Sequence, residues 1–144
     1  MTDILISSHS GLRWVVLILL LASIFNAFSR KSVYEERDIK LYKFTMIFTH
    51  VQFTLGLVLY FLSSKVAFTE GWMKVSMFRF FGMEHLIGML LAVLMITFAK
   101  SKAAKADSPE AAQKKARMFF VLGLVIIIAF IPWPFREALG GSWF

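Results

Sequence analysis

Four apolar runs, near residues 12–28, 44–62, 81–99 and 118–135, limit what this chain can fold into. Crossing the roughly 30 Å hydrocarbon core of a bilayer takes about 20 apolar residues at 1.5 Å rise each, and every run is close to that length. The expectation is a single all-α domain over residues 1–144, an integral membrane bundle of four transmembrane helices. Composition agrees. The chain is 58% hydrophobic and 17% charged with a mean hydropathy of +0.70, whereas a soluble domain is about a quarter charged. Cysteine is absent, which removes disulfides, thiolate metal sites, iron–sulfur clusters and covalent c-type haem attachment.

The net charge of +7 is confined to short caps between the runs, so it reads as membrane orientation and not as a nucleic-acid surface. Arg30, Lys31, Arg37, Lys40 and Lys43 lie between the first two runs, and Lys100, Lys102, Lys105, Lys114, Lys115 and Arg117 between the last two. The opposite side has Lys65, Lys74 and Arg79 in its loop, with Arg13 and Arg136 near the chain ends. Lys and Arg in short loops favour the cytoplasmic side, so both termini are expected on the periplasmic or outer side. The leader carries Asp3 while Arg30 and Lys31 follow the first run, the reverse of a secretory signal, which predicts a retained first helix. "SPEAAQKKARMFF" predicts that the fourth helix starts before its apolar run, with Ser108 as N-cap, Pro109 first and Glu110 in the first turn. "SSKVAFTEGWMKVSMFRF" mixes apolar and charged residues and predicts a partly apolar lid. Trp14, Trp72, Trp133 and Trp143 fall near the same boundary, where indoles favour the headgroup level.

Helices one to three also carry polar groups inside their apolar runs. An ionisable group at the bilayer centre costs from about 2.5 to more than 10 kcal/mol, so such groups usually face the bundle interior and serve a function. All three histidines, His9, His50 and His85, fall in these helices. His9 and Arg13 share a face, as do Thr45, Thr49, Gln52 and Gly56; His85, Gly88 and Ala92 form a stripe that is small beside the imidazole. Neutral imidazoles are common axial ligands of b-type haem, and Arg13 or Arg79 can meet its propionates. His85 is the strongest ligand candidate. Its partner stays open between His9 and His50, with His9 preferred because Arg13 lies on its face. Glu84 has three readings: an ion pair with Arg13, a hydrogen bond that fixes an imidazole tautomer, or a proton acceptor for a quinol. The bland alternative is that each histidine is a hydrogen-bonding packing residue.

At "HSGLRWVVLILL", "FTHVQFTLGLVLYF", "FRFFGMEHLIGM" and "IPWPFRE" the chain resembles small four-helix bacterial membrane proteins labelled "cytochrome B". The resemblance covers nearly the whole length. It implies a multi-pass protein of the bacterial inner membrane in which His85, His9, His50, Arg13 and Glu84 contact haem b or quinone. Two-haem membrane cytochromes need four axial histidines, so at most one bis-histidine haem fits, with one histidine spare. The expected function is membrane electron transfer with quinone, quinol or a respiratory partner. The alternative is a haem-free accessory subunit of a larger membrane complex or a homo-oligomer, its buried His, Arg and Glu groups structural or quinone-contacting. Whether the protein is an enzyme stays open: there is no nucleophile elbow, HExxH or Gly-rich phosphate loop.

Overall fold

Helices outrun the apolar runs at their polar ends, because backbone hydrogen bonding continues wherever a cap or a good helix former allows it. In the computed structural model, which describes residues 2–141 and 143, α1 spans Thr2–Ser29 and α2 spans Glu36–Leu62. The starts lie ten and eight residues before those read from hydropathy. At the head of α2, the Asp38 carboxylate accepts from the Glu35 backbone N–H at 2.7 Å and so replaces a missing intrahelical acceptor. The third helix, α3, runs Ser76–Ala104 and contains a π-helical stretch at Phe80–Glu84. The fourth, α4, spans Pro109–Phe130; as the sequence predicts, Ser108 Oγ accepts from the Ala111 N–H at 3.2 Å and Pro109 takes the first position.

The far end of α4 departs from expectation. The helix stops at Phe130, five residues before the apolar run ends, because Ile131 turns extended (φ −71°, ψ 134°). Ile131 precedes Pro132, whose ring disfavours the helical conformation in the residue before it. Among the described residues three helices, Asp3–Ser29 within α1, α2 and α3, are long and apolar enough to cross a membrane. α4 is 22 residues long, but Lys114, Lys115 and Arg117 occupy its first half.

α1 packs on α2, α2 on α3, α3 on α4, and α4 returns to α1, so α1 and α3 face each other diagonally. The most extensive of these contacts joins α3 to α4. It is built from small residues at helical spacing: Ala92, Ala99 and Ala103 on α3, with Ala112, Ala116 and Gly123 on α4, all buried. A Cβ at Gly123 would stand 3.0 Å from Ile96 Cγ1. Such stripes let helix backbones approach where apolar burial cannot drive association. Alternating direction places the N-terminus, the α2–α3 loop and the segment after α4 at one end of the bundle, hereafter the termini end. The α1–α2 and α3–α4 connections lie at the other, the connection end.

Candidate functional site

At the termini end the interior opens into a cavity of about 190 Å³, lined by His9, Arg13, Gln52, Gly56 and His85 among apolar neighbours such as Ile127. Three of the four helices have a local reason to open here. On α2, Gly56 removes the side chain facing His9, where a Cβ would stand 3.0 Å from the imidazole Cε1. On α3, the π-helical stretch puts an extra residue into the turn, a distortion frequent at functional sites. On α4, the helix has ended and left Phe130 with an unclaimed carbonyl.

His85 takes that carbonyl. Its Nδ1 lies 2.7 Å from Phe130 O, and since a carbonyl only accepts, Nδ1 carries the hydrogen. The lone pair is therefore left on Nε2, the arrangement in which a backbone carbonyl orients an imidazole for ligation. The same contact also caps α4, a structural use that occupies only Nδ1. Across the diagonal, His9 Nδ1 is buried and has no hydrogen-bond partner among the described residues, and neither has Gln52 Oε1. Gln52 Nε2 donates to the His9 carbonyl at 2.8 Å and so ties α2 to α1 beside the imidazole.

The sequence-predicted residues divide. His9, Arg13 and His85 converge on the cavity. His50 lies on the outside of the bundle, its Nδ1 2.8 Å from Met46 O, exposed between α2 and α3. Glu84 meets neither Arg13 nor an imidazole; its carboxylate accepts from Arg79 Nε at 2.7 Å. The π-helical stretch explains this pairing: residues five apart sit roughly 140° apart around an α-helix, and the wider π turn brings them onto one side. Arg79 is thereby engaged as well. Gly88 leaves no room beside His85 either, since the Phe130 ring fills the space a Cβ would need.

Gly140, Gly141 and Trp143 lie at the cavity mouth. Arg13 Nη2 donates to Trp143 O at 2.8 Å, and Trp14 Nε1 to the same carbonyl at 3.2 Å. Lys65 Nζ donates to Gly140 O at 2.7 Å. Trp143 stacks on Trp14 and meets Trp133 edge-on, with centroids 6.2 and 6.4 Å apart, so three of the four indoles cluster at this end. Trp72 instead packs on Phe68 in the α2–α3 loop, 4.9 Å between centroids, against the π-helical stretch at Gly82, whose carbonyl accepts from Tyr60 Oη at 2.9 Å.

A second polar cluster, at the connection end, goes unremarked in the sequence reading. Asn26 Nδ2 donates to the buried Asp38 carboxylate at 2.6 Å, Tyr42 Oη donates to Gln113 Oε1, and Gln113 Nε2 donates to Val33 O at 2.6 Å. Arg30 Nε donates to Asp38 at 3.1 Å; hydrogen bonds to Asp38 and Glu35 hold the guanidinium above its ordinary range. Burial pushes the nearby Tyr34 phenol up. The cluster joins α1, α2 and α4 and reads as a clamp. A lone Asn26 within "LLLASIFNAF" was the available signal.

No protein-family model, curated protein or solved structure matches the chain. Among the described residues no group of three or more His, Cys, Asp or Glu side chains is placed to hold a bare metal ion.

Proposed function

We propose that this is a membrane electron-transfer protein of the kind labelled "cytochrome B", holding one b-type haem between α1 and α3 through His9 and His85. The observation that carries the reading is the pair of imidazoles on diagonally opposed helices facing one apolar cavity, with the His85 tautomer set by Phe130 O. The haem, when bound, supplies a one-electron centre. The chain's residues orient the two imidazoles, present Arg13 and Lys65 near the mouth where propionates need donors, and exclude water with apolar walls. His50 and Glu84 take no part in holding it. The bundle crosses the bacterial inner membrane four times, its termini end outside, with Lys114, Lys115 and Arg117 of α4 reaching back to the cytoplasmic interface. Electrons pass to or from quinone, quinol or a respiratory partner.

The cavity volume favours one other reading. Engineered cavities of about 150 Å³ take up benzene, so about 190 Å³ suits a single ring, while a macrocycle requires α1 and α3 to move apart. On that reading the protein is a haem-free accessory subunit and the polar groups touch a quinone head. The reduced absorption spectrum separates the two. Protein purified in mild detergent and treated with dithionite shows sharp α and β bands if haem is bound; a colourless preparation with no pyridine haemochrome sinks the haem reading.

A further inference from the structure

His50 lies outside the cavity, at the middle of α2 with fourteen residues of the helix before it and twelve after. Its ring is exposed in an open groove of about 520 Å³ between α2 and α3, walled by Met46, Ile47, Val51 and Leu55 and bordered by Thr54 and Thr97. Nδ1 faces the Met46 carbonyl at 2.8 Å, so it carries the hydrogen and Nε2 keeps a lone pair. The threonines meet it weakly at most. Thr54 donates to His50 O at 2.9 Å, and Thr97 donates to Val93 O at 2.7 Å while standing 3.5 Å from Nε2, the limit of hydrogen-bond distance. At this depth no water substitutes, and a bare acceptor in an apolar setting is costly.

A donor closer than Thr97 has to arrive through lipid. It must be largely apolar, because the rest of the groove is. We propose that this groove is a quinol site, in which a ring hydroxyl donates to His50 Nε2 and the ring and tail lie against Ile47, Val51 and Leu55. An oxidised quinone offers only carbonyls and cannot make that bond, so the groove selects the reduced form. The proposal deepens the reading of electron exchange with quinol, but binding at His50 requires no haem in the cavity, and the two can fail separately.

The test is titration of the full chain in lipid nanodiscs with decylubiquinol, kept reduced, and with decylubiquinone. Decylubiquinol binds at one site at least tenfold more tightly than decylubiquinone. His50→Leu weakens the quinol at least tenfold, His50→Gln retains part of the binding through its amide oxygen, and His85→Ala leaves it unchanged. Ile47→Trp, which fills the groove and leaves the imidazole in place, also blocks it. Equal affinity for the two redox forms overturns the proposal, as does undiminished binding in both His50→Leu and Ile47→Trp. Loss of binding in His85→Ala assigns the ligand to the cavity instead. A change from dimer to monomer in His50→Leu with quinol binding intact assigns the groove to a second copy of the chain.

Discussion

Single residues carry two kinds of work at the two ends of the bundle, and substitution separates them. Tyr42→Phe removes the donor to Gln113 Oε1 and leaves a buried acceptor unpaired, which costs about 1–3 kcal/mol. It lowers the thermal midpoint in detergent while leaving any haem absorbance per folded protein unchanged. Gly56→Val acts in the opposite sense: the side chain enters space already within 3.0 Å of His9, so it displaces the imidazole, and cofactor content falls while the helical circular dichroism persists. The sequence exposes some of this. His9, Arg13 and His85 stand out because ionisable groups in apolar runs are expensive, and all three line the cavity. The clamp is less visible, since Asn26 and Gln113 lie about ninety residues apart, on helices whose pairing only the fold reveals. Glu84 was misleading because its partner Arg79 is set by π geometry, which no apolar period announces.

At the scale of elements, the ends of helices place the site. α4 starts on a Ser108 cap, and Ser108→Ala costs about 1 kcal/mol, measurable as a lower midpoint of thermal unfolding with no change at the cavity. Its other end matters more to function, because stopping at Phe130 is what presents a carbonyl to His85. The start was legible, since Ser108, Pro109 and Glu110 satisfy known positional preferences. Pro132 and Pro134 mark the stop in the sequence, but the helix ends at Phe130, ahead of the apolar run's end, because Pro132 already constrains Ile131. Hydropathy also undercounted α1 and α2, whose first residues mix polar with apolar side chains and so fall outside the apolar runs.

For the whole molecule, the alternation of four helices gathers the site at the termini end, and the proposed topology puts that end outside. The absence of cysteine makes this testable without background: Thr69→Cys is labelled by a membrane-impermeant maleimide on intact spheroplasts, and Asp107→Cys only after lysis. The reverse pattern inverts the topology, and labelling of both contradicts the four-span bundle. The central claim is that His9 and His85 meet across the bundle to hold one haem. Pyridine haemochrome analysis of purified protein tests it most directly: the account predicts one haem per chain, lost in His9→Ala and in His85→Ala and kept in His50→Ala. No haem in the wild type, or full haem in His85→Ala, contradicts it.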